Sequence, residues 1–312
     1  MQPLVCLMGP TASGKTPLAI ELVQRFPMDI VSVDSAMVYR GMDIGTAKPD
    51  VDTLKRAPHR LIDILDPSEA YSAGRFREDA LREIAAIHAA HRIPLLVGGT
   101  MLYFRALLQG IAGMPTADAN IRANLEARAS VEGWEALHAE LAIIDKTAAD
   151  RIHPNDSQRI QRALEVYLLS GKTITAWQAT DTNALSGMRV FSFAIAPTER
   201  ALLHARIAER FDLMLAQGFM EEVKGLMNRG DLSEALPSIR SVGYRQAWAH
   251  LSGEVGFEIM REQAIAATRQ LAKRQLTWLR TWPGVQWLAS EDEGRLAKAG
   301  VQLQAWLAGA AK

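Results

Sequence analysis

Leu4-Val5-Cys6-Leu7-Met8-Gly9-Pro10-Thr11-Ala12-Ser13-Gly14-Lys15-Thr16-Pro17-Leu18-Ala19-Ile20 decides the fold. The first five residues form an apolar run long enough for a buried strand. G-x-x-x-x-G-K-T follows without a gap, and helical periodicity begins at Leu18. Strand, this motif, then helix is the sequence context of a phosphate-binding P-loop. Gly9 and Gly14 free the backbone to wrap so that successive N–H groups point inward at an anion. The helix opening near Lys15 aims its positive end at the same point. Lys15 adds a point charge, and the Thr16 hydroxyl suits a magnesium ion. The competing reading is a Gly-rich turn carrying a surface Lys and Thr.

Outward from this stretch, Asp29–Asp34 reads as a second strand ending in an acid, and Leu61–Leu65 as a third apolar run. Residues 74–91 carry helical spacing, and Ile93–Val97 is a further strand closed by Gly98-Gly99-Thr100. Strands alternating with helices predict an α/β fold, a P-loop NTPase-like parallel sheet flanked by helices. Ligands of such sheets collect at the carboxyl ends of the strands, so the P-loop, Asp34 and Thr100 are expected at one crevice. Between 113 and 187 helical periodicity runs without a strand signal. The expected organisation is a core of 1–112 and 188–312 with an all-helical insertion at 113–187. A strand over 189–197, long helices over 198–229 and 257–281, and a short strand at 285–288 complete the core. The tail after 305 reads as frayed.

The chain has 312 residues, a formal net charge of zero and 48% hydrophobic content. A nucleic-acid partner must therefore meet a local basic patch. One exists: Arg240 to Arg280 holds seven Lys and Arg against three Glu and no Asp. On a helix, Arg269, Lys273 and Arg280 fall within about 40 degrees of one another, while Ala264, Leu271, Trp278 and Trp282 share a face suited to a core. Taken alone, the stripe is better explained as a solvated helix face. Arg159 and Arg162 make a smaller patch in the insertion. Cys6 is the single cysteine, which excludes an intrachain disulfide and fits a reducing compartment. No leader and no membrane span are expected, and the seven scattered histidines suggest no metal site. Asp34 reads as a magnesium ligand, as a general base or as a helix cap. Thr100 reads as a ligand contact or as the cap of the next helix.

Taken together, Gly9–Thr16, Ser32-Val33-Asp34-Ser35, Tyr39-Arg40-Gly41-Met42-Asp43-Ile44-Gly45-Thr46-Ala47-Lys48-Pro49, Val97-Gly98-Gly99-Thr100-Met101-Leu102-Tyr103, Ile152-His153-Pro154-Asn155-Asp156, Arg240-Ser241-Val242-Gly243-Tyr244-Arg245 and Lys273–Arg280 resemble the bacterial tRNA dimethylallyltransferases along nearly the whole chain. Pro17 departs from that pattern, where Ala or Ser is expected. The resemblance implies transfer of a dimethylallyl group from its diphosphate to the exocyclic N6 of the adenosine 3′ to the anticodon, in tRNAs reading codons that begin with U. It makes Asp34 the general base and Thr100 a substrate contact. Gly9, Pro10, Thr11, Ala12, Ser13, Gly14, Lys15 and Thr16 would hold the diphosphate, with magnesium on Thr16. The anticodon stem-loop would meet Asp34, Ser35, Ala36, Met37, Thr100, Arg122, Gln158, Arg159, Ile160, Gln161, Arg162, Arg240, Ser241, Val242, Gly243, Tyr244, Arg245, Lys273, Arg274 and Arg280. A cytoplasmic monomer without a membrane partner is expected. The rival functions are a P-loop small-molecule kinase, a prenyltransferase acting on free adenine nucleotides, and an RNA-binding nucleotide switch.

Overall fold

The computed structural model describes residues 1–110, 113–179, 185 and 187–309. Strand β1 (Gln2–Met8) feeds helix α1 (Lys15–Arg25), which Gly14 opens with a left-handed φ of 83°. Then come β2 (Met28–Val33), α2 (Val51–Arg56), β3 (His59–Arg60), α3 (Ala73–Ala89), β4 (Ile93–Gly98) and α4 (Met101–Leu108). Helices α5 (Ala119–Glu132), α6 (Trp134–Ile144), α7 (Lys146–Ala149), α8 (Ser157–Ser170) and α9 (Ile174–Gln178) occupy the middle of the chain. β5 (Met188–Ala196), α10 (Arg200–Ala216), α11 (Phe219–Met227), α12 (Tyr244–Leu251), α13 (Phe257–Arg280), β6 (Gln286–Ala289) and α14 (Arg295–Ala308) close it.

Among the described residues the strands form one parallel sheet in the order β3-β2-β4-β1-β5-β6. Leu4 to Met8 are fully buried, as expected of a parallel strand covered on both faces. Met8 pairs with Gly98 and Gly98 with Val33, so three strands end level with one another. Gly98 is required there: a Cβ would lie 2.0 Å from the Val33 carbonyl oxygen.

The chain divides into two compact units, 1–105 with 185–312, and 106–184. The sequence junction at 112/113 touches residues 111–112, which lie outside the described residues. In the second unit, Asp118 caps α5 and Asp156 caps α8. Gly133, at φ 82°, separates α5 from α6 within the helical periodicity. Leu125, Leu137, Leu141, Ile160 and Leu164 form this unit's core.

The structure departs from the sequence reading in three places. Leu61–Leu65 is not a strand: Leu61 and Asp63 take left-handed φ values of 63° and 55°. Its apolar character serves a turn, in which Ile64 and Leu65 donate backbone hydrogen bonds to Val38. The expected 198–229 helix is two helices, parted at Gly218 with φ 96°. Third, the tail after 305 continues α14 to Ala308, and Trp306 and Leu307 pack against the core around Leu18 and Leu22. Residues 310–312 of that tail lie outside the described residues.

Candidate active site

The level ends of β1, β2 and β4 launch three loops into one cavity of about 1260 Å³ in the first unit. The loop after β1 is a cradle by its backbone. Ala12 and Gly14 hold left-handed φ values of 61° and 83°, the turn geometry that gathers N–H groups around an anion. For Ala12 this costs on the order of 1 kcal/mol. A Cβ on Gly9 would stand 2.5 Å from the Ile195 carbonyl oxygen and 2.6 Å from Ser13 Oγ. Ser13 is fully buried, and its hydroxyl has no hydrogen-bond partner among the described residues. Lys15 Nζ donates to the carbonyls of Gly9 at 3.0 Å and Pro10 at 2.7 Å. Burial and the neighbouring Arg210 push the Lys15 ammonium down to about 7, against the opposing pull of Asp34.

Asp34 follows β2 directly. Its Oδ1 accepts from the backbone N–H groups of Ala36 at 2.8 Å and Met37 at 3.2 Å, which fixes the carboxylate in the cavity wall. Thr100 follows β4. Its Oγ1 accepts from the Ser35 N–H at 3.1 Å, and its own N–H donates to the Val33 carbonyl at 3.3 Å. The β2 and β4 loops are thereby tied together, and Asp34, Thr100 and the P-loop share one wall of the cavity.

Sequence reasoning missed two residues here. Arg210 reaches the cavity from α10 and interacts with both Lys15 and Asp34. Burial lowers its own pKa, and Asp34 counters that shift. Its signal was available: one charge among the buried Leu203, Ile207, Phe211 and Met214 of the same helix. Gln275 on α13 accepts from the Thr11 N–H at 2.9 Å and donates to the Gly99 carbonyl at 2.8 Å. In sequence it stands inside the basic segment and reads as part of an RNA face.

Residues 43–49 of the 39–49 stretch are cavity wall too. Glu222 accepts from the backbone of Asp43, Ile44 and Gly45 at 2.8 to 3.1 Å, and from Tyr244 Oη at 2.6 Å. The nearly buried Lys48 binds Asp43 and Asp63 at 2.5 Å. Ile207, Phe211, Met214 and Leu271 give the cavity an apolar side.

The expected RNA contacts separate by exposure. Arg240, Arg245, Lys273, Arg274 and Arg280 are exposed, and Arg240 to Gly243 border the cavity. Tyr244 is fully buried, and its hydroxyl is spent on Glu222. Arg269 leaves the predicted stripe: it is half-buried, with one N–H directed at the His204 carbonyl at 3.5 Å. Leu271 and Trp278 line the cavity instead of a core face, which Ala272, Gln275 and Leu279 supply.

In the second unit, Gln158 and Arg159 are exposed. Gln161 donates to the Arg122 carbonyl and to Glu126. Ile160 is fully buried, so its side chain contributes packing rather than an exposed contact. Arg122 and Arg162 both bind the fully buried Glu165, at 2.8 and 2.7 Å. Burial raises the Glu165 pKa, but these bonds outweigh it and hold the carboxyl below the usual range. Removing one member of a buried pair costs about 3–5 kcal/mol. The arginines stranded by Glu165→Ala remain partly exposed, so a loss near about 3 kcal/mol is expected. It should appear as a lower urea midpoint. Because the folded pKa is depressed, the stabilisation is present at neutral pH and fades as pH falls through the folded pKa.

Among the described residues no three His, Cys, Asp or Glu side chains gather to hold a metal. Thr16 and Asp34 do place a hydroxyl and a carboxylate in one cavity. Magnesium is commonly held by few protein oxygens together with substrate phosphates and water, and this sparse oxygen set fits that mode. No described helix is long and apolar enough to cross a membrane.

Residues 37–282 match the family model described as IPP transferase. The chain is 58% identical over 311 residues to a tRNA dimethylallyltransferase of Thioalkalivibrio sulfidiphilus, covering 99% of this chain and 97% of that protein. Among solved structures, a full-length tRNA isopentenylpyrophosphate transferase from Bacillus halodurans matches with a TM-score of 0.71 at 37% identity, over 99% of this chain and 96% of the other. A eukaryotic dimethylallyltransferase acting on tRNA matches with a TM-score of 0.80 at 25% identity, over 97% of this chain and 78% of the other.

Proposed function

The chain belongs to the IPP transferase family, and from that premise we propose that it transfers a dimethylallyl group from dimethylallyl diphosphate to the exocyclic N6 of the adenosine 3′ to the anticodon, in tRNAs reading codons that begin with U. The observation that carries this reading is the meeting, in one cavity, of an anion cradle, a pinned carboxylate and an apolar wall.

The cradle holds a leaving group rather than a phosphoryl donor. As the allylic C–O bond breaks, charge gathers on the diphosphate. The P-loop N–H groups, Lys15 and Arg210 stand ready for that charge, and fixed donors of this kind stabilise it without reorganisation. Thr16 would hold magnesium together with diphosphate oxygens, and the ion would supply further charge neutralisation there. The allylic carbon becomes cation-like, and Ile207, Phe211 and Met214 keep water from it. The adenine amine is a weak nucleophile because its lone pair is delocalised into the ring. Asp34 takes a proton from it as the N–C bond forms, and Thr100 borders the same reacting centre. A base stacked in an anticodon loop cannot reach this crevice, so the adenosine is flipped out.

Exposed Arg240, Arg245, Lys273, Arg274 and Arg280, with Gln158 and Arg159 of the second unit, then meet the flanking RNA. Arg122 and Arg162 serve Glu165 first. Lys273→Ala combined with Arg274→Ala should weaken anticodon stem-loop binding across sequences. It should also reduce the slope of log affinity against log salt by about 1 to 2; an unchanged slope removes both residues from the RNA face.

The function itself is tested by diphosphate release. Release from dimethylallyl diphosphate should require an unmodified anticodon stem-loop and magnesium. Release driven equally by AMP would move the acceptor to free nucleotides.

A further inference from the structure

We propose that Gln275 is a positioning residue for the transfer reaction, fixing the diphosphate cradle relative to the Asp34–Thr100 side of the cavity. The inference rests on the activity proposed above.

The reaction needs the leaving group and the proton acceptor at a set separation. The three loops that carry them depart from strands of fixed register, but the loops themselves need ties. The β2 and β4 loops are joined by Thr100, through the Ser35 N–H to its hydroxyl and its own N–H to Val33. The β1 loop is joined to the β4 loop through Gln275. Its amide oxygen accepts from the Thr11 N–H at 2.9 Å, and its amide nitrogen donates to the Gly99 carbonyl at 2.8 Å. The amide's orientation is fixed chemically, because an N–H can only donate and a carbonyl can only accept.

A second observation shows how closely the bridge is fitted. A Cβ on Gly99 would lie 2.4 Å from the Gln275 amide nitrogen and 3.0 Å from the Gly9 carbonyl oxygen. The β4 turn is pressed against both the amide and the P-loop, so a side chain at Gly99 would push the Gln275 amide off its hydrogen bonds. Gln275 is also a buried amide on the packed face of α13, beside Ala272 and Leu279. An apolar side chain would suit that face by packing alone. Its neighbours Lys273 and Arg274 are exposed on the same helix, Arg274 at the cavity's edge, so of the three only Gln275 is buried against the cradle.

The test uses Gln275→Met, which keeps the length and loses both hydrogen bonds, and Gln275→Glu, which keeps the acceptor for Thr11 and loses the donor to Gly99. Each is compared with the wild-type chain at saturating dimethylallyl diphosphate and stem-loop, alongside stem-loop affinity and the unfolding midpoint. A misplacement of about 1 Å can cost on the order of 100-fold in rate. Gln275→Met should therefore lower kcat by about that factor with stem-loop affinity within about threefold of wild type, and Gln275→Glu should fall between the two. A kcat within about twofold of wild type in both variants overturns the proposal, on the same scale. So does a loss of stem-loop affinity matching the loss of kcat, which would make Gln275 an RNA contact. Where Gln275→Met does not fold, Gln275→Glu decides by the same criteria. Should the wild-type chain release no diphosphate in the presence of stem-loop, the proposed activity fails first, which keeps the two failures apart.

Discussion

Asp34→Ala should lower the rate of prenyl transfer by about 100- to 10,000-fold, the range typical of a positioned general base, while leaving inorganic diphosphate affinity nearly unchanged. The separation of effects follows from placement. The P-loop supplies its N–H groups from its own backbone, and Asp34 is held from the β2 side by Ala36 and Met37. Asp34→Asn tests the same role more gently, since the amide oxygen can still accept both backbone bonds but takes no proton. Single-turnover kinetics and a diphosphate titration on the same preparation check both quantities. Equal loss of rate and of diphosphate affinity would make Asp34 part of the anion site.

Lys15→Ala should cost about 100- to 1000-fold in kcat/KM for the prenyl donor, as expected for removing one preorganised donor from developing charge. Lys15 also predicts a pH dependence. Its ammonium is depressed to about 7 by burial and by Arg210, and an arriving diphosphate favours the charged form and raises the value again. Binding then takes up a proton at pH values above 7. Inorganic diphosphate affinity should be greatest below 7 and fall as pH rises, by at most about tenfold per unit. Lys15→Arg keeps its charge throughout and should flatten the decline. Calorimetric titrations of both proteins from pH 6 to 9 measure the difference, and parallel profiles would show that Lys15 stays charged in the free protein.

The sheet was legible because its strands are short apolar runs with clear ends, and because the P-loop fixes where the first of them stops. Asp34 and Thr100 could be placed at one crevice since parallel strands gather their carboxyl ends. What escaped lay in tertiary choice. Leu61–Leu65 has the composition of a strand, yet Leu61 and Asp63 adopt left-handed backbone, which composition does not encode. Arg210 and Gln275 sit on helices whose periodicity announces packing; the charge among apolar positions of α10 marks Arg210 as unusual, but its direction toward the P-loop, like that of Gln275, shows only in the assembled cavity. The basic residues were countable in sequence. Their duties were not: Arg122 and Arg162 look like Arg159 until the buried Glu165 between them is known.

The most direct test is to incubate the protein with unmodified tRNA, dimethylallyl diphosphate and magnesium, digest the RNA and map its mass. The expected result is one dimethylallyl group in place of one hydrogen, on the adenosine 3′ to the anticodon of tRNAs reading codons that begin with U. RNA of unchanged mass, with ATP consumed in phosphorylating a small alcohol, would contradict it.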